Sequence, residues 1–152
     1  MERSGPTPGQ VSQTLGRRGV ELSASLSAVE QAVAAAGPED SWVEGLRVAL
    51  IGLAADFRTH IDTAGGSDGM SRTVVTAAPR LSHAVADLTR ERLAMLGLIE
   101  SLLAAVRAPD AAASVDQLRR RGWALLERLA GHRQRGSDLL HEADQDDMGG
   151  ES

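Results

Sequence analysis

Apolar residues recur along this chain at spacings of three, four and seven, the period of helices that each bury one face. The first stripe runs Leu15, Leu22, Leu26, Val29, Val33 and Ala36. Gly37-Pro38 ends it, because a residue before proline is steered away from helical backbone. A second stripe follows with Val43, Leu46, Leu50, Leu53 and Phe57, and then His60. Its start is predicted at Ser41-Trp42-Val43-Glu44, the spacing at which a Ser and a Glu side chain reciprocally cap free backbone N–H groups. Gly65-Gly66-Ser67-Asp68-Gly69 predicts its end. A short helical piece is expected over Met70 to Ala77, and Pro79 suits the first turn of a third helix, where its missing N–H costs nothing. The third stripe is Leu81, Val85, Leu88, Arg92, Met95, Ile99, Leu102 and Val106, closed by Ala108-Pro109-Asp110. A second capping box, Ser114-Val115-Asp116-Gln117, opens a fourth helix striped by Leu118, Gly122, Leu125, Leu129, His132, Gly136 and Leu139.

No segment alternates with the period of a strand. A helix with one apolar face is not stable alone, so the four must pack together. Short connections between the first and second helices, and between the third and fourth, favour antiparallel neighbours. The expected fold is all-α, an antiparallel up-down four-helix bundle over residues 11–143. Residues 1–10, with their prolines and glycines, read as a disordered lead-in, and residues 144–152 as an acidic flexible tail.

Composition narrows the chemistry. Aromatic residues make up only 2%, namely Trp42, Phe57 and Trp123, so the core must be built from Leu, Val and Ala. There is no Cys, which excludes disulfides, thiolate metal sites and cysteine nucleophiles. Lys, Asn and Tyr are also absent, and all 16 basic residues are Arg. Those missing residues have AT-rich codons, so the bias points to GC-rich coding and a bacterial source. It also removes Schiff-base and tyrosine acid chemistry. A net charge of −5 argues against non-specific affinity for nucleic acid. Arg119-Arg120-Arg121, with no aromatic interleaving, reads as a solvated face. The apolar run Val48 to Ala55 is too short to span a bilayer, and the start Met1-Glu2-Arg3-Ser4-Gly5-Pro6 lacks an apolar signal region. No membrane and no nucleic-acid partner is expected, and the expected location is the cytoplasm.

Three stripes each carry one polar interruption: His60, Arg92 and His132. Counting from the intervening turns places them at depths that agree within about one helical turn. One polar layer across the bundle is therefore expected. Metal centres in bundles are built from inward-pointing His and carboxylate groups on facing helices. The nearest acids here are Glu91 and Asp138, each one position beside a stripe residue.

Three segments carry a resemblance. They are Phe57-Arg-Thr-His60 with the residues running on to Gly69, Pro79 through Leu88 to Glu91-Arg92, and Leu129-Ala-Gly-His132 through Asp138 to Leu140. In order and spacing, over about residues 12 to 150, the chain resembles the haemerythrin-like (HHE cation-binding) family as a degenerate member. That resemblance implies a four-helix bundle and, where the ligands are intact, a non-haem di-iron centre that senses or handles oxygen or nitric oxide. The departures are specific. The family's first helix carries a ligand His, whereas the first His of this chain is His60. Acids expected after His60 and His132 are replaced by Ala64 or Gly65 and by Gly136 or Ser137, and a third-helix His is replaced by Arg92. The vestigial ligand set is His60, His132, Glu91 and Asp138, with Arg92 at a ligand-equivalent position. That is too few donors for two irons.

The expectation is a non-catalytic interaction or regulatory module that holds no cofactor, the alternative being a non-haem iron protein. No Ser-His-acid grouping lies on rigid elements, so no enzyme activity is expected. His60 and His132 are expected as hydrogen-bonded or partly solvated stripe residues, as metal ligands, or as pH sensors. Arg92 is expected either to fill the metal's place and pair with a Glu or Asp, Asp138 foremost, or to swing to the bundle edge. His83 and His141 fall off the stripes and should be solvated. Leu93, Leu96, Leu98 and Leu103 form an extra apolar face beside the third stripe, so the protein is expected to be a monomer or a homodimer, with an unidentified protein partner as a further option. An interior cavity at the layer would suit water or an apolar guest.

Overall fold

A computed structural model describes the backbone of residues 8–65 and 78–149, and the side chains of residues 21–61, 78–143 and Gln145. These residues form four long helices: α1 (Pro8–Ala34), α2 (Glu39–Gly65), α3 (Ser82–Val106) and α4 (Val115–Gly149). Two short 3-10 turns, Pro79–Leu81 and Ala111–Ser114, lead into α3 and α4. No strand occurs among the described residues, so the all-α reading stands. The helical piece expected over Met70 to Ala77 lies outside the described residues, as does the side chain of Leu15.

Helix boundaries depart from the punctuation in three places. α2 begins at Glu39, two residues before Ser41, and its first bond runs from the Trp42 N–H to the Pro38 carbonyl at 3.0 Å. Ser41 is therefore inside the helix, and Glu44 pairs with Arg47 instead of capping. At the chain ends, α1 starts at Pro8 within the expected lead-in, and α4 runs to Gly149 through most of the expected tail. Helical propagation costs little once a long helix exists, which is why the ends run past the last stripe residue.

The turn after α1 is closed from outside. Gly37 has φ +137°, a backbone region closed to most side chains, and Pro38 follows it. The Val33 carbonyl at the end of α1 accepts from Trp42 Nε1 at 3.2 Å and from Arg119 Nη1 at 2.8 Å. Arg119 also reaches the Ala35 carbonyl and lies over the Trp42 ring, 5.1 Å from its centroid. A cation is favoured at a helix C-terminus, where several carbonyls lack partners within the helix. Arg119 is thus a cap shared by three helices, which corrects the reading of Arg119-Arg120-Arg121 as one solvated face. Arg121 bonds Ser101 on α3 and only Arg120 simply faces solvent, because successive helical residues diverge in direction.

Each helix packs on two others: α1 on α2, α2 on α3, α3 on α4, and α4 back on α1. The stripes supply the core. Every third-stripe residue from Leu81 to Val106 is buried, Arg92 included. A large apolar cluster gathers Leu22, Val29, Val33, Leu46, Leu50, Phe57, Ile99, Leu125 and their neighbours. A second, smaller one holds Ala78, Leu81, Val85, Leu88, Leu139 and Ala143. Between them on α3 and α4 stand Arg92 and His132. The polar layer splits the core in two.

The extra apolar face expected beside the third stripe is mostly used up. Leu103 is buried, Leu96 and Leu98 pack against the large cluster, and Leu93 alone of the four stays open. Exposed Val48, Ile51 and Trp123 sit on other helices. At the α1–α4 contact, a side chain on Gly122 has no room: an added Cβ would fall 2.7 Å from Val33 Cγ2. Val33 is β-branched and stiff, so the helices must part to admit it. We expect Gly122→Ala to lower stability by about 1–3 kcal/mol in spite of its better helix propensity. Urea unfolding checks this, and Val33→Ala in the same chain should return part of the loss; additive losses would sink the close-packing account.

Candidate functional site

Helix period puts His60, Arg92 and His132 on interior faces, and packing brings them to one level. Phe57, one turn before His60 on α2, lies near both imidazoles. Its ring centroid is 6.2 Å from that of His60 and 6.3 Å from that of His132. His60 is half-buried, while Arg92 and His132 are only 2% and 4% exposed. The depth matching expected from the sequence holds for all three.

The second ring of contacts comes from residues beside the stripes. Glu91 accepts a hydrogen bond from His132 Nδ1 at 2.7 Å. The same Oε1 accepts from Arg135 Nε at 3.1 Å and from Arg135 Nη2. With Nδ1–H donated to Glu91, neutral His132 carries its lone pair on Nε2. Arg135 escaped the sequence reading. Its signal was faint: a cation flanking the fourth stripe at the depth where Glu91 flanks the third.

Asp138 is not part of this layer. It is exposed and accepts from Gln134 Nε2 at 2.9 Å on its own helix. The expected Arg92–Asp138 pair does not form, and the alternative of Arg92 at the bundle edge fails too, since the guanidinium is buried. Among the described residues no carboxylate pairs with Arg92, and its Nε has no hydrogen-bond partner. His60 Nδ1 is likewise buried without one. His83 and His141 are exposed, as expected.

Electrostatics follow from this burial. Desolvation pulls the His60 pKa from 6.5 down to about 4, helped by the positive Arg92 and by His132 and Arg133. Burial lowers His132 as well, against the opposing pull of its Glu91 bond. Burial acts to raise Glu91, but the bonds from Arg135 and His132 outweigh it and hold the carboxyl below its ordinary range. Burial lowers Arg92, the one cause acting on it. At neutral pH the layer therefore holds two neutral imidazoles, one carboxylate, and the cations Arg92 and Arg135.

Such a donor set does not fit a di-iron centre. Two irons need several anionic donors, and the only carboxylate in the layer among the described residues is already bound by Arg135 and His132. Among the described residues, no three His, Asp or Glu side chains gather as a metal-holding group. A surface groove of about 160 Å³ between α3 and α4, lined by Leu98, Leu102, Leu125, Arg121 and Arg128, holds neither acid nor imidazole. No family model matches the chain, and no curated protein or solved structure matches it. No described helix is long and apolar enough to cross a membrane.

The depressed His60 pKa makes stability depend on pH. Between about 4 and 6.5 the unfolded chain binds a proton that folded His60 refuses, so stability is intact above that window and drains as pH falls through it. The loss should reach on the order of 3 kcal/mol by pH 4, with His132 acting in the same direction. Urea midpoints across pH 4–7 check this. His60→Leu should flatten much of the slope, and an unchanged slope would remove His60 as its source.

Proposed function

We propose that this chain is a haemerythrin-like helical bundle whose interior layer no longer serves a metal, and that it acts without catalysis as an interaction or regulatory module. Its four helices run up and down in antiparallel order. The cross-helix contacts support this, because numbers that rise along one helix fall along its neighbour. On α1 and α2, Ser25 and Val33 meet Asp56 and Trp42. On α3 with the 3-10 turn leading into it, and on α4, Arg80, Glu91 and Ser101 meet Glu142, His132 and Arg121. On α1 and α4, Ser23 and Val33 meet Arg133 and Arg119.

One observation carries the functional reading. A guanidinium, Arg92, is buried where the resemblance would put a ligand imidazole, and among the described residues no carboxylate is left over to offset a metal. A permanent cation at that place repels iron by several kcal/mol in a low-dielectric interior. Among the described residues, the exposed large apolar side chains Val48, Ile51, Leu93 and Trp123 are surface features available to a protein partner.

Iron per chain tests the reading directly. Protein purified from cells grown with ample iron should carry close to none and show no oxo-bridge absorption in the visible region. A ratio approaching about two irons per chain, the content of an intact bundle centre, would overturn it.

A further inference from the structure

Arg92 is charged, 2% exposed, and flanked one turn away on α3 by Leu88 and Met95, both buried. A cation in such a place is strongly disfavoured unless an anion balances it. Glu91, the neighbouring carboxylate, is committed to Arg135 and His132. Among the described residues the layer is thus one negative charge short. Two of its polar atoms, Arg92 Nε and His60 Nδ1, are buried without partners, whereas buried polar groups are nearly always satisfied. There is also space. Gly136 lies on the interior stripe of α4 one turn beyond His132. Among the described residues, and apart from its own stretch of helix, nothing comes within 4 Å of where its Cβ would sit.

We propose that the layer formed by Arg92, His60 and His132 binds one small planar monoanion, of the carboxylate or nitrate kind, in the space beside Gly136. A guanidinium presents parallel N–H donors that match two oxygens of a planar anion. His60 Nδ1–H offers a further donor to the remaining edge, whereas His132 Nε2 can only accept and so bonds an anion that carries its own proton, such as bicarbonate. Phe57 and the two apolar clusters above and below favour a small, weakly hydrated ion over a multiply charged one. This inference rests on the metal-free reading above, since the same layer cannot also hold a metal centre.

The test is urea unfolding of wild type, Arg92→Met and Gly136→Leu at pH 7.5 and fixed ionic strength. Sodium gluconate, too bulky to enter, is replaced stepwise by sodium formate or sodium nitrate. Above half-saturation, each tenfold rise in formate should raise the wild-type folding equilibrium constant up to tenfold. Neither variant should respond, Arg92→Met having lost the cation and Gly136→Leu having filled the space. Should Arg92→Met fail to fold, Gly136→Leu carries the same comparison with the charge in place. A flat wild-type response overturns the proposal, and so does an equal response in all three proteins, which marks a general salt effect. Iron measured on the same samples separates the two readings: iron-free protein with no formate response sinks the anion site alone, whereas bound iron sinks the metal-free reading first.

Discussion

The buried Arg92 guanidinium constrains everything packed around it. A charge in an aliphatic core forces the residues at its level to be polar, or to leave room for something polar. His60, His132 and Glu91 are that response in this chain, and Arg135 completes it by holding Glu91 from the surface side. The result is a core in two parts, a large cluster toward one end and a small one built on Leu81, Val85, Leu88 and Leu139 toward the other.

The same layer sets the register of α3 against α4. Leucine stripes tolerate a slip of one turn, because one leucine replaces another at nearly equal area. Glu91 does not. Moved one turn, its carboxylate would lose both His132 and Arg135. Gly122 acts in parallel on the other side of α4. It lets α4 approach Val33 so closely that Arg119 can reach the carbonyls ending α1. Polar contacts and one missing side chain decide which turns face each other, while the leucines supply most of the stabilisation.

Among the described residues the layer holds one carboxylate, Glu91, and His132 and Arg135 both bind it. A fixed cation stands among imidazoles that burial keeps neutral.

Helix number, the buried faces and the levels of His60, Arg92 and His132 were legible in the chain, because a 3.6-residue period fixes which side of a helix each residue takes. All eight residues of the third stripe are buried as their spacing requires. The partners of the long side chains were not legible. Glu91 and Asp138 look alike in sequence, each one position off a stripe, yet one turns toward a neighbouring helix and the other toward solvent. Arg119, Arg135 and the orphaned Nε of Arg92 belong to the same class. Period determines direction from one helix axis, whereas pairing depends on distances between axes, and those exist only once all four helices have packed.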